Sequence, residues 1–311
     1  MFKTSHKASL TPAEHDALSL RRRGLTLALL TATYFFSYMD RQILSILMEP
    51  IKRDLNVSDT QLGLLTGLAF SIFYAVLGIP VARLADRYNR RNIIAISLAA
   101  WSLMTGLCGL AQNFVQLLLA RIGVGIGEAG SSPPSHSMIA DLYPPEKRAG
   151  AMGIYSLGVV FGAGFGTLIG GFLAAAYGWR IAIIAVGIPG ILLAIIVRMF
   201  VIEPRRGMSE PVYAKAGATP VTAPDTTTLD GFKALWRNAA ARHLVMAVTV
   251  TSLIGYAITA WSPSFFMRSY GFDLREIALI IAVLATVAGG ASGVVGGRIA
   301  DVVGRRHGPQ A

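Results

Sequence analysis

Gly78 to Arg91 reads GIPVARLADRYNRR, a short and largely basic stretch between two long runs, residues 61–82 and 92–111, that carry no charge. A second copy of the pattern, GGRIADVVGRR, ends at Arg306. Arginine-rich turns flanked each time by uncharged spans imply a chain that crosses a membrane many times, with its basic loops on one side. The repeat implies two related halves.

Composition agrees. The chain is 53% hydrophobic and 14% charged, with a mean hydropathy of +0.55, whereas soluble domains carry about a quarter charged residues. The net charge of +11 does not indicate nucleic acid, because the basic residues fall between apolar runs instead of forming one face. Cys108 is the sole cysteine. It excludes a disulfide within the chain and reads as packing, and no metal or cofactor is expected.

Read in order, residues 1–23 form a polar tail. Thr11-Pro12-Ala13-Glu14 carries a helix start, with a Thr cap, Pro at the first position and Glu at the third. Arg21-Arg22-Arg23 precede the first apolar run as a signal peptide's basic region would. Apolar spans simply continue, so this run reads as a retained helix. With about 20 residues needed per crossing, eight spans fit: 24–48, 61–82, 92–112, 115–139, 150–174, 180–201, 243–267 and 277–297. The expected organisation is a tail at 1–23, a six-helix bundle at 24–201, a polar linker at 202–242 and a partial second bundle at 243–311. Within the linker, Asp230 to Asn238 reads either as a short interfacial helix or as an ordinary loop. Basic connections alternate with weakly charged ones, which expects a multi-pass cell-membrane protein with a cytoplasmic N-terminus.

Ionisable side chains inside the apolar runs are few, and each is costly there. Asp40, Arg121 and Glu128 stand out, with Arg41 beside the first. Ile43, Leu44, Ile46, Leu47 and Met48 follow Asp40, so the helix is expected to continue past it and to place it about 22 Å from the inner end. Arg121 lies at a similar depth on the fourth span, so the two are expected to pair. Glu128 follows seven residues later on the same face, and the two form a polar stripe like a cavity wall. The plainer readings are that Asp40 and Arg41 end a short helix and that Arg121 snorkels to the surface. A carboxylate in apolar surroundings favours its protonated form, which suits a group that takes up and releases protons.

Other motifs point away from chemistry. GIGEAGSSPP at 125–134 lacks the GxxxxGK[ST] of a phosphate loop. Gly158, Gly162, Gly164, Gly166, Gly170 and Gly171 stripe the fifth span and read as close helix packing, or more sharply as a helix that flexes in a moving carrier. Ser135-His136-Ser137 lacks a nucleophile elbow and a partner Asp, so an enzyme is not expected. In the 78–91 hairpin, Asp86 and Arg90 are four apart and can pair on one helical turn, or Asp86 can face a helix terminus or an Arg of the other bundle, while the arginines anchor at anionic headgroups.

These residues resemble the major facilitator superfamily. Its loop signature, Gly-x-Leu-Ala-Asp-Arg-x-Gly-Arg-Arg, corresponds to ARLADRYNRR at 82–91 and GRIADVVGRR at 297–306, departing at Ala82, Asn89 and Val302. RIGVGIGEAG from Arg121 resembles the fourth-helix motif, and GFGTLIGG from Gly164 resembles the fifth-helix antiporter motif without its Pro. Within the superfamily, YMDRQILSILMEPIKRDLNVSDTQLGLLTGLAFSIFYAVLGIP, RIGVGIGEAG and PPEKRA resemble the spinster family, whose animal members export lysolipids. The resemblance implies an all-α polytopic transporter working by alternating access. It makes Asp40 and Glu128 protonatable groups, with Arg121 coupling them to substrate. Asp86, Arg87, Arg90 and Arg91 then form a gating motif together with Asp301 and Arg305. The expected partners are the lipid bilayer, protons and a small amphipathic or lysolipid-like substrate. The superfamily has twelve helices, so the chain is expected to be the N-terminal two-thirds of such a carrier, and a non-transporting fragment or membrane scaffold is the alternative.

Overall fold

The computed structural model describes residues 11–209, 233, 235–284 and 287, and the regular structure among them is helical. Helix α1 (Pro12–Arg21) starts at the expected capping box: the Glu14 amide donates to Thr11 Oγ1 (3.3 Å) and the Thr11 amide donates to Glu14 Oε2 (2.8 Å). Helix α2 (Arg23–Ile46) continues past Asp40, and after Leu47 α3 (Met48–Leu55) follows. Asn56, at φ 50°, closes α3 in the left-handed conformation. Helix α4 (Asp59–Gly63) passes through a π-helical turn, Leu64–Leu68, into α5 (Ala69–Arg87). Helix α6 (Arg90–Cys108) runs back.

The fourth predicted span is two helices end to end, α7 (Phe114–Glu128) and α8 (Ser132–Leu142). The break falls in the Gly- and Pro-rich stretch, since Pro133 and Pro134 have no N–H to continue the ladder from α7. Helices α9 (Pro145–Tyr177) and α10 (Trp179–Phe200) complete the bundle. Helix α11 (Ala239–Tyr270) and helix α12 (274–284) follow.

Five helices among the described residues are long and apolar enough to cross a membrane: Asp59–Arg87, Arg90–Cys108, Pro145–Tyr177, Trp179–Phe200 and Ala239–Tyr270. Helix α2 has the length, at 24 residues, but its mid-helix charges set it apart. The end bearing the start of α1 and the 78–91 hairpin is the one expected to be inner, and the opposite end the one expected to be outer.

Glycine sets the packing. A Cβ on Gly158 would meet the Thr31 carbonyl oxygen at 2.8 Å, and one on Gly166 would meet that of Met39 at 2.8 Å. One on Gly162 would collide with the carbonyl of Phe35. Each step of four residues along α9 therefore lies directly against the backbone of α2, the close approach that small residues give membrane helices. Tyr34 stacks on Tyr155 at the inner end of this seam, ring centroids 4.4 Å apart. Cys108 is buried and unpaired.

The inner end departs from expectation. The helix breaks at Tyr88 and Asn89, and Asn89 Oδ1 caps α6 by accepting from the Asn92 amide (3.0 Å). Asp86 and Arg90 therefore lie on different helices and do not pair. Arg90, fully buried, pairs instead with Asp141 of α8 and with Glu203 (2.7 Å), and donates to Ser137 and to the Pro204 carbonyl. Arg206 reaches back to the carbonyls of Ala85 and Tyr88 (2.6 and 2.9 Å), and the Gly207 amide donates to Asp141 (2.9 Å). The first residues of the predicted linker are thus fastened across the ends of α5, α6 and α8. Of the short helix predicted at 230–238, residues 233 and 235–237 are helical and the others, apart from Asn238, lie outside the described residues.

Candidate functional site

Helix α2 presents two adjacent charges to different neighbours. Successive residues on a helix point about 100° apart, because a turn holds 3.6 residues. Asp40, 2% exposed, faces α6, where Thr105 Oγ1 donates to its Oδ2 (2.9 Å). Arg41 faces α7 and pairs with Glu128: Arg41 Nη2 lies 2.9 Å, and Nε 3.0 Å, from Glu128 Oε2. The rings of Tyr38, Phe70 and Tyr74 surround the Arg41 guanidinium, with centroids 5.1, 4.7 and 5.0 Å away. That cage supports a desolvated cation.

The pair expected between Asp40 and Arg121 is not formed. Similar depth is not enough, because Asp40 points to Thr105. Arg121, 3% exposed, makes no ion pair with any described residue, its Nε has no hydrogen-bond partner among them, and its guanidinium lies 5.6 Å from the Phe70 ring centroid. Asp40 Oδ1 and Glu128 Oε1 are likewise buried without a partner among the described residues. Buried charges are ordinarily paired, so three orphaned atoms of one constellation mark a site with unused capacity.

A cavity of about 680 Å³ opens beside it. Arg41, Gln42 and Ser45 of α2 line it, with Thr66 of the π-helical turn, Phe70 and Tyr74 of α5, Arg121 of α7, Val159 and Ala163 of α9, and Tyr256 and Thr259 of α11. Its wall is mostly apolar, with Arg121 as a cation that has no ion-pair partner among the described residues. Glu128 does not line it but stands behind Arg41. The stripe expected from Arg121 to Glu128 is therefore half wall and half second layer. The π-helical turn carries no sequence signal we could read, although such turns often sit at functional sites.

At the outer end α11 ties to the first bundle. Ser45 Oγ donates to the carbonyls of Thr259 and Ala260 (3.1 and 2.7 Å). Arg268 pairs with Glu49 (2.6 Å) and with Asp59 (2.7 Å), and Lys52 pairs with Asp59 (2.6 Å). None of Glu49, Lys52, Asp59 and Arg268 was expected to act, because such residues read as ordinary loop and helix-end charges. At the inner end Arg87 and Asp86 are exposed. The Arg91 amide donates to Glu203 (2.8 Å). Asp301 and Arg305, with the whole second copy of the signature, lie outside the described residues.

A polytopic helical bundle with charges buried beside an apolar cavity between two helix sets defines a membrane carrier. The chain belongs to the Major Facilitator Superfamily, whose family profile matches residues 30–308. It is 35% identical over 304 residues to an MFS-type efflux pump of Mycolicibacterium smegmatis, covering 96% of this chain and 67% of that protein. It is 28% identical over 311 residues to a probable L-galactonate transporter of Escherichia coli, with the same coverage. A solved bacterial homolog to the human lysosomal transporter spinster, in an inward-facing and unoccupied conformation, superposes with a TM-score of 0.79 at 36% identity. That match covers 91% of this chain and 64% of the other, and it agrees with the spinster resemblance of the sequence. The chain thus spans about two thirds of the length of the relatives it matches.

Proposed function

We propose that the chain forms the translocation cavity of a proton-coupled secondary transporter that works by alternating access. Its substrate is a small amphipathic or lysolipid-like organic molecule carrying an acidic group. The observation that carries this reading is Arg121: a buried cation with no ion-pair partner among the described residues, on a mostly apolar cavity wall. An apolar wall accepts the body of an amphipathic molecule, and a planar guanidinium accepts a carboxylate or phosphate in two parallel hydrogen bonds. The named relatives include a transporter of a sugar acid, which supports an acidic group but not an apolar body.

The charges suggest the coupling. Asp40 and Glu128 balance Arg41 and Arg121 when both carboxylates are ionised. A proton on Glu128 removes the partner of Arg41, which already lines the cavity. The site then holds one excess positive charge, and an anion entering the cavity restores neutrality. Loss of the proton returns Glu128 to Arg41 and weakens the hold on the anion. The basic inner loops favour a cell-membrane location with a cytoplasmic N-terminus.

The test is flux in proteoliposomes under an imposed pH gradient. Proton-driven uptake of an amphipathic anion is expected, with its dependence on the gradient abolished in Glu128→Gln and in Asp40→Asn. Gradient-driven uptake unchanged in both variants would overturn the coupling. A stably folded chain without substrate-dependent flux would favour a membrane scaffold.

A further inference from the structure

We propose that Arg268 is an outer latch, holding α11 against the first bundle through two catches, Glu49 on α3 and Asp59 at the start of α4, so that the cavity opens outward only when these pairs part. The inference rests on the alternating-access reading. It adds which contact keeps one mouth shut.

The geometry is that of a fastening. Arg268 sits on the last turn of α11 and reaches two helices at once: its Nε donates to Glu49 Oε1 (2.7 Å), and Nη1 and Nη2 donate to the two oxygens of Asp59 (2.9 and 2.7 Å). Two parallel bonds from a planar fork fix orientation as well as distance. The Glu49 side chain is 7% exposed, so leaving it unpaired is costly. Lys52 holds Asp59 from the side of α3 (2.6 Å) and sets that catch in place.

The rest of the contact lies at the same end. Ser45 binds the carbonyls of Thr259 and Ala260. Trp261 lies against Gly63, where a Cβ would touch its ring at 3.7 Å. On the other side, a Cβ on Gly171 would meet the Leu274 carbonyl at 3.0 Å. Residues 243–259 of α11, by contrast, are exposed. Helix α11 is thus tied to the first bundle by its outer part, and Arg268 is the outermost tie and the charged one.

Apolar packing lies beside the polar pairs: Trp261, Phe266 and Met267 of α11 rest on the buried core, and Ile277 and Ala278 of α12 belong to it, so parting the mouth exposes apolar surface as well as separating charges. A latch of this kind has two discrete states, which is what a switching element needs.

The experiment uses the 311-residue chain in nanodiscs, with Cys108→Ala removing the native thiol and spin labels at Arg53→Cys and Ser269→Cys. Both label positions are exposed and flank the latch. Their separation is read by double electron–electron resonance. A single short distance is expected in the parent. Arg268→Ala, and separately the pair Glu49→Gln with Asp59→Asn, should shift the distribution to a longer distance. Arg268→Lys, which keeps a cation between the two carboxylates, should retain the short one, which separates a broken latch from a misfolded chain. An unchanged distribution in both latch-breaking variants would overturn the proposal. The readout does not depend on flux: widening without transport would sustain the latch and sink the carrier reading, whereas transport with an unmoved distance would do the reverse.

Discussion

Arg41 and Glu128 meet 2.9 Å apart between α2 and α7, although 87 residues separate them in the chain. Glu128 is fully buried, while Arg41 keeps 16% of its side chain open toward the cavity. The pair therefore has one partner that a substrate can touch and one that it cannot.

That asymmetry has a measurable consequence for stability. Breaking a buried pair by removing one partner costs about 3–5 kcal/mol, because the other charge is left uncompensated. Glu128→Gln is expected at the lower end of that range, since Arg41 retains its aromatic cage and some exposure. Replacing both partners by uncharged groups, Arg41→Met with Glu128→Gln, should recover most of the loss, as isosteric replacement of buried pairs often does. Denaturant unfolding of the two variants in mild detergent reads this directly. A double variant no more stable than Glu128→Gln alone would show that the pair does not carry the effect.

The glycine seam predicts a contrast between two substitutions on one helix. Gly162→Ala puts a methyl group into the Phe35 backbone, and overpacking of this kind costs about 1–3 kcal/mol. Gly153→Ala, on the same helix with open space around it, should be neutral or gain up to about 1 kcal/mol from helix propensity. Thermal unfolding of both variants decides. Equal effects would mean that α9 does not pack on α2 at this distance.

At the inner end, Arg90 and Arg87 stand three residues apart in one basic motif, yet they do different work. Arg90 is buried between Asp141 and Glu203, so Arg90→Ala leaves two carboxylates with backbone amides but no cation and should cost about 3 kcal/mol. Arg87 is exposed, and Arg87→Ala should stay within about 0.5 kcal/mol. Urea unfolding in detergent distinguishes them, and a similar loss in both would place Arg87 in the clamp as well.

How much of this was legible in the chain depends on how local each signal is. The Thr11 capping box, the helix continuing past Asp40 and the glycine stripe of the fifth span depend on near neighbours in sequence, and all are present; which of those glycines meet α2 is not a local signal. The Asp40–Arg121 pair rests on depth alone. Depth fixes height along the membrane but not rotation about each helix axis, and rotation sends Asp40 to Thr105 and Arg41 to Glu128. The Asp86–Arg90 pair requires a helix that continues through Tyr88, and it does not. Asn89, a residue favoured at helix starts, was the available signal that a new helix begins there. Arg268 and Glu49, 219 residues apart, leave no local trace of their contact.

The latch carries its own pH prediction. Asp59 precedes the uncharged run at 61–82, at the outer edge of its span and open to water. Hydrogen bonds from Arg268, and next from Lys52, stabilise its charged form and hold it well below the usual carboxylate range. A carboxylate depressed in the folded protein contributes stability above its ordinary unfolded value, near 3.9, and that contribution is lost only as pH falls through the lowered value. Asp59 therefore stays ionised through mild acid. The spin-label distance between positions 53 and 269 should be unchanged between about pH 8 and about pH 5, and should lengthen only in stronger acid. In Asp59→Asn that protection is gone and Arg268 keeps Glu49 alone, so the short distance should be less populated across the whole range. Lengthening of the parent distance within mild acid would show that ionised Asp59 does not hold the mouth. Constancy there, with loss of the short distance in Asp59→Asn, would separate outer closure from the proton coupling assigned to Asp40 and Glu128.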